Sequence, residues 1–316
     1  MKVIVTGHAG FIGSHLCDDL LKRDYEVIGI DNFSNGKEKN IKHLHKNKNF
    51  TSIKGDIMKR LPGEEEKIFE NVDAIFHFAA NSDIQKSSKD PSIDFRNTFH
   101  ITVQMLDYCR KYNIKNFIFS STSAIYGDTN NMKVPENHGP LIPQSHYGAA
   151  KLSAEAFISS YAENFGIKSW IIRFPNVCGS RMTHGAIYDF IKQLQSQKDL
   201  VKNLNVLGDG KQCKPYIHVS ELINAIIYIW LSSARKVNIY NVAPETQTTV
   251  ADIAKWCGDA FGEVNIKFED KPIGWTGDIA KFQYNTSRLQ KLGFELKMTS
   301  DEAVKTSIHE LIKEKL

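Results

Sequence analysis

A chain of 316 residues with 41% apolar content can bury one large α/β core and a smaller second lobe, and a formal charge of +4 is too small to mark a nucleic-acid-binding surface. No apolar run reaches the length of a membrane span, and Met1-Lys2 leads straight into an apolar segment with no signal region ahead of it. The five cysteines, Cys17, Cys109, Cys178, Cys213 and Cys257, have no metal-ligand spacing, so a cytoplasmic protein with reduced thiols and no metal centre is expected.

The first element is a short strand, residues 2–6, which runs into Gly7-His-Ala-Gly10-Phe11-Ile12-Gly13 and a helix opening near Phe11. Such a turn lets the backbone approach a pyrophosphate, which then lies on the amides and the positive dipole end of the helix. A second strand, residues 25–30, ends at Asp31. At that distance from the glycines a carboxylate accepts hydrogen bonds from an adenosine ribose and repels a 2′-phosphate, which favours NAD over NADP. A βα turn with glycines for packing alone is the competing interpretation, and strand, helix and Asp31 in register outweigh it. The lysine-rich stretch 37–54 is expected as a solvated loop that ends in a strand at 50–54. Further strands at 74–78, 116–120 and 168–173 alternate with helical patterns, as in a parallel sheet covered by helices. Long amphipathic stretches at 94–112 and 147–165 would flank that sheet. After residue 173 come a glycine-rich loop at 178–185, a helix at 187–197, a Pro/Gly-rich segment at 271–277 and a final helix. The expected architecture is a doubly wound parallel Rossmann sheet over 1–174, with a returning segment near 215–250. A smaller α/β substrate lobe would take 175–214 and 251–316.

Tyr147-Gly-Ala-Ala-Lys151 carries the chemistry, because residues four apart share one helix face. An ammonium beside a phenol favours tyrosinate and lowers its pKa from about 10 towards working pH, which makes Tyr147 a candidate general base. The plain alternative is a half-buried tyrosine with a lysine snorkelling past it. A third polar group stands in Phe119-Ser120-Ser121-Thr122-Ser123-Ala124, at the carboxyl end of a strand, where ligands bind in open α/β sheets.

Taken together, Gly7, Gly10 and Gly13, Asp31-Asn32-Phe-Ser-Asn35-Gly36, Asp56-Ile57, His77-Phe78-Ala79-Ala80, Ser120-Ser-Thr122 and Tyr147-x-x-x-Lys151 stand in the order seen in extended short-chain dehydrogenases/reductases. Within them the chain most resembles the nucleotide-sugar epimerases. The likeness continues through Arg173-Phe174-Pro-Asn176, Gly208-Asp-Gly-Lys, Tyr216-Ile-His-Val219 and Gly277-Asp278, so it covers nearly the whole chain. It implies NAD held by Gly7, Gly10, Phe11, Ile12, Gly13, Asp31, Asn32, Asn35, Gly36, Asp56, Ile57, Phe78, Ala79, Ala80, Ser120, Tyr147, Lys151 and Phe174. Thr122, Tyr147 and Lys151 become the catalytic set, with Ser120, Ser121 and Ser123 as nearby hydroxyls. A nucleotide-diphosphate sugar would meet Ser82, Thr122, Ser123, Tyr147, Asn176, Arg181 and Lys214. The flanking helices would pair across a homodimer as a four-helix bundle.

The resemblance also implies the reaction. Tyr147 takes a proton from the sugar C4 hydroxyl, bridged by Thr122, while NAD takes the hydride. Dehydratases of the family carry Asp-Glu after the catalytic Ser/Thr, to remove the C5 proton and protonate the departing hydroxyl. Ser123-Ala124 cannot do that work, which leaves hydride return to the other face and hence 4-epimerisation of a sugar of UDP-hexose type. The competing expectation is net 4-oxidation, 4-reduction or 4,6-dehydration on the same scaffold. Three positions depart from the family pattern. Lys214 and Trp275 stand where diphosphate-binding arginines are usual, and a lysine lacks the bidentate fork. Asn97 is displaced by one from the family asparagine of its helix. The diphosphate would then fall to Lys214, Arg181 or Lys281.

Overall fold

The computed structural model describes residues 1–59, 63–81, 84–270 and 281–314, with the side chains of 63–65 and 84–86 left aside. Two compact units divide the chain: residues 1–127, 139–173 and 226–240 form the first, and 128–138, 174–225 and 241–316 the second.

The first unit is built on a seven-stranded sheet of β1 (Lys2–Thr6), β2 (Glu26–Asp31), β3 (Phe50–Lys54), β4 (Ala74–His77), β5 (Asn116–Thr122), β6 (Lys168–Phe174) and β7 (Val237–Asn241), in the order β7-β6-β5-β4-β1-β2-β3. β1 pairs in parallel with β2 and β4, β2 with β3, and β4 with β5. Buried on both faces, such strands read as continuous apolar runs, and Val3, Ile4 and Val5 are all fully buried. The chain winds outward from β1 to β3 and then restarts at β4 on the other side of β1, so the switch of direction falls between β1 and β4. Register aligns the strand ends there: Thr6 lies beside Ile30 and His77, and His77 beside Phe119.

Three helices of this unit bear on the site: α1 (Phe11–Lys22), α2 (Ile101–Lys111) and α3 (His146–Phe165). The start of α3 is set by Ser145, whose Oγ accepts the amide of Gly148 at 3.1 Å, and its end by Gly166 in the left-handed region at φ +68°. Ala154 and Ile158 of α3 and Met105, Leu106 and Cys109 of α2 join one core with Ile4, Ile75, Phe117 and Phe119 of the sheet.

Three expectations are corrected. The stretch 37–54 is not a loop: short 3-10 turns at Glu38–Asn40 and Lys42–Lys46 precede β3, and Asn40, Ile41 and Leu44 are buried. Its lysines point outward while those residues face in. The stretch 94–112 is not one α-helix, because a π-helical turn at Phe95–His100 precedes α2. The segment returning to the first unit is 226–240 instead of about 215–250. It comprises the second half of helix Val219–Ser232 and most of β7, and Trp230 meets Phe76 edge-on at 5.1 Å.

The second unit contains parallel pairs of Asn176–Cys178 with Tyr216–His218, Lys202–Val206 with Val264–Phe268, and Lys133–Val134 with Gln283–Tyr284. The last pair explains why 128–138 belongs here. Helices Ala186–Gln195, Val250–Asp259 and Ser300–Glu314 complete a small α/β lobe. Among the described residues no helix is long and apolar enough to cross a membrane, and no group of three or more His, Cys, Asp or Glu could hold a metal ion.

Candidate active site

The expected residues of the first unit lie at the carboxyl ends of adjacent strands. Gly7 to Gly13 follow β1, Asp31 to Gly36 end or follow β2, Asp56 and Ile57 follow β3, Phe78 to Ala80 follow β4, and Ser120 to Ser123 end or follow β5. The glycine turn is enforced by space. Gly7 has φ +73° and approaches Ala79, where a Cβ would come within 2.8 Å of the amide nitrogen; a Cβ on Gly13 would come within 2.1 Å of the Gly7 carbonyl oxygen. Gly10 caps α1 without a side-chain hydrogen bond, so the first amides of the helix face outward from a backbone with no side chain over it. The Asp31 carboxylate, largely buried, accepts the amides of Ala9 at 3.0 Å and Phe33 at 2.8 Å, and the backbone of Gly36 closes over it. A bare helix end beside a backbone-held carboxylate fits the pyrophosphate and ribose of NAD.

The 37–54 stretch turns out to buttress this turn, since the Lys37 amide and the Asn40 side chain both donate to the Ala9 carbonyl at 2.9 Å. His8 points away from the turn: its Nε2 lies 2.8 Å from Ser52 Oγ, and its ring fills the space where a Cβ on Gly29 would come within 2.2 Å. Burial lowers its pKa, partly opposed by the charge of Asp31.

A buried chain of hydroxyls and imidazole fixes the loop after β4. Thr102 donates its one hydroxyl proton to the Thr98 carbonyl at 2.6 Å, so it accepts from His77 Nε2 at 3.1 Å. His77 Nδ1 then accepts from Thr6 Oγ1 at 2.8 Å, leaving that oxygen to accept the amides of Phe78 and Ala79, each at 3.1 Å. Burial and the charge of Lys151 push the His77 pKa down to about 3, so the ring stays neutral. Spacing in the sequence shows nothing of this relay.

Thr122, Tyr147 and Lys151 come together between β5 and α3, with an outcome the spacing alone does not anticipate. The Tyr147 phenol is hydrogen-bonded to Thr122, and Thr122 Oγ1 also accepts the Ala124 amide at 3.2 Å. Lys151 turns its ammonium away, donating to the Ser120 carbonyl at 2.6 Å and Ser120 Oγ at 3.3 Å, 4.6 Å from the Phe119 ring centroid and 5.8 Å from that of Tyr147. The phenol is consequently not acidified as expected. Burial and the charge of Asp94 raise its pKa above the ordinary value, against a lowering by Thr122. Lys151 is brought down to about 7 by burial, opposed by Asp94 and Glu155.

Behind this set lies a second cluster the sequence reading missed. Glu155, one turn beyond Lys151, receives Ser121 Oγ and both Nε (3.0 Å) and Nη2 (2.6 Å) of Arg173, whose Nη1 donates to the Tyr126 hydroxyl at 2.9 Å. Continuing the Tyr147, Lys151 spacing by four reaches Glu155, and that was the available signal. Asn97 is exposed on the π turn, whereas Thr98 is buried, so Thr98 holds the inward position. A π turn inserts one residue and rotates the face by about 100°.

Among the other expected residues, Ser82 and Trp275 lie outside the described residues. Phe174, Asn176, Arg181 and Lys214 all belong to the second unit. There Asn176 is exposed, Arg181 has φ +66° and its amide is held by the Glu314 carboxylate at 3.0 Å, and Lys281 bridges to Cys213, next to Lys214.

A doubly wound sheet with a glycine turn, a backbone-held aspartate at the end of its second strand and a Thr, Tyr, Lys set defines an NAD-binding protein of dehydrogenase type. Residues 3–243 match the family described as NAD dependent epimerase/dehydratase, and the chain belongs to that family. It is 34% identical over 290 residues to an uncharacterized UDP-glucose epimerase of Bacillus subtilis, covering 87% of each chain. Among solved structures it is similar to a UDP-galactose 4-epimerase (TM-score 0.86, 32% identity, 99% of each chain). It is also similar to a UDP-glucuronic acid 4-epimerase of Bacillus cereus solved with UDP-glucuronic acid and NAD (TM-score 0.87, 28% identity, 99% of this chain and 100% of that one).

Proposed function

We propose that the protein is an NAD-dependent 4-epimerase of UDP-hexose type, and that Thr122, Tyr147 and Lys151 carry the reaction. The observation behind this is their assembly at the carboxyl end of β5, with Ser123-Ala124 where dehydration would need acids. Tyr147 takes and returns the proton of the C4 hydroxyl, and Thr122, hydrogen-bonded to the phenol, bridges to the sugar. Lys151 holds a positive charge at the strand end and orders the Ser120 backbone. NAD supplies the hydride acceptor and donor at C4, held by the glycine turn, Asp31 and the loop 78–80. The 4-epimerases of the comparison act on different UDP-sugars, which supports UDP as the carrier. Lys214, Lys281 and Arg181 are the candidate diphosphate cations of the second unit.

Purified protein given UDP-glucose, UDP-galactose, UDP-N-acetylglucosamine and UDP-glucuronic acid in turn should yield the C4-inverted partner of at least one by NMR, with no net NADH. A steady build-up of NADH, or no inversion of any of them, would sink the assignment.

The protein works as a homodimer in the cytoplasm. Its five cysteines are free and four of them buried, which suits a reducing compartment. The outer face of α3 and the π turn carries an aromatic ladder: exposed Phe95 lies tilted against Phe99 at 5.8 Å, Phe99 meets Phe157 edge-on at 5.1 Å, and Phe157 is itself exposed. Contiguous aromatic surface of this kind calls for a partner, here a second copy. Phe157→Glu is expected to convert a dimer to a monomer in light scattering, while a wild-type monomer would contradict the dimer.

A further inference from the structure

Apart from Asp31, the described residues of the first unit include four buried charged side chains: Asp94, Lys151, Glu155 and Arg173. Arg173 and Glu155 pair with each other, and the Ser121 and Tyr126 hydroxyls complete their hydrogen bonds. That leaves one cation and one anion. Among the described residues the hydrogen bonds of Lys151 go to the neutral oxygens of Ser120. Asp94 is 0% exposed; its Oδ1 receives the Asn81 side-chain amide at 2.8 Å, and its Oδ2 has no hydrogen-bond partner among the described residues. A buried carboxylate with an unpaired oxygen is expensive unless a counter-charge lies near.

The local backbone is built to hold Asp94 in place. The short helix Ser92–Asp94 and the π turn after it both pack on α3, the helix of Tyr147 and Lys151. The extra residue of that turn brings the Asn97 carbonyl and Thr98 Oγ1 onto the Asn81 amide, at 3.1 and 3.3 Å, and so pins the residue that pins Asp94.

We propose that Asp94 is the counter-charge of Lys151 and a positioning residue of the site, setting the ionisation of the Tyr147 and Lys151 pair without touching substrate. Its negative charge favours the protonated form of both groups, and both are raised by it. The other charged or titratable groups around it do not replace it. Glu155 on α3 is engaged by Arg173, and His77 on β4 is neutral. Arg96 on the π turn is exposed and bonded to Ser92, and His100 of the same turn is half-buried. The proposal rests on Tyr147 and Lys151 being the reacting pair, so its test includes a measurement that needs no turnover.

Asp94→Asn keeps the shape and removes the charge. Both limbs of the kcat/KM profile with UDP-galactose should move to lower pH, by about one unit. Ultraviolet difference titration should show one tyrosine ionising at lower pH than in wild type, a change absent from Asp94→Asn/Tyr147→Phe. Uniformly lower activity with unmoved limbs and an unmoved phenol titration would reduce Asp94 to packing. If UDP-galactose is not turned over, the titration alone decides. Should Asp94→Asn not fold, Asp94→Ser, smaller and uncharged, gives the same two readouts.

Discussion

Tyr147→Phe should lower turnover by about 10²–10⁴-fold while the protein still folds and still binds NAD. The substitution removes one oxygen and keeps the aromatic ring in place, 5.8 Å from the Lys151 ammonium. What disappears is the phenol hydroxyl hydrogen-bonded to Thr122, and with it the route for the C4 proton. Because the missing interaction belongs to the transition state, kcat and kcat/KM should fall together with little change in KM. In the wild type the raised phenol makes activity climb with pH, and loss of the Lys151 charge, its pKa about 7, opposes that climb from the alkaline side. Steady-state kinetics across pH, with NAD content measured by release from denatured protein, test this. A variant within a few-fold of wild type would remove Tyr147 from the chemistry.

Arg173→Leu should cost about 3–5 kcal/mol of stability, because it leaves Glu155 buried with its charge unpaired. Arg173 and Glu155 are each nearly inaccessible, at 4% and 6% side-chain exposure, and the guanidinium also holds the Tyr126 hydroxyl. Glu155 in turn accepts Ser121, flanked by Ser120, which receives Lys151, and by Thr122. The loss should therefore lower both the unfolding midpoint in urea and turnover. The double variant Arg173→Leu/Glu155→Leu should recover a large part of the stability, since neither charge is then stranded. Strictly additive losses in the two single variants and the double would mean that the pair is not coupled.

The parts of the fold that could be read in advance share a physical cause. β1, β4 and β6 have buried centres, residues 3–5, 74–76 and 170–172, so each reads in the sequence as a short unbroken apolar run. α3 announces itself by a serine cap and a closing glycine. The stretch 37–49 hid its structure because three buried residues among many lysines make no periodic signal. The π turn at 95–100 was invisible for a related reason: an inserted residue alters no composition, yet it moves Asn97 to the surface and Thr98 inward.

The glycine turn, Asp31 and the grouping of Thr122, Tyr147 and Lys151 could be read from the sequence, because each depends on residue type at short range: absence of a Cβ, a carboxylate after a strand, two side chains one helical turn apart. Their electrostatics were decided only by the tertiary structure. Spacing put Lys151 and Tyr147 on one face of α3, but the ammonium found a carbonyl on β5, 31 residues away in sequence, and a negative charge acting on both groups came from Asp94 on another segment. A local pattern fixes which groups share a face; charge acts through space and burial, so the acidity of those groups belongs to the packed fold.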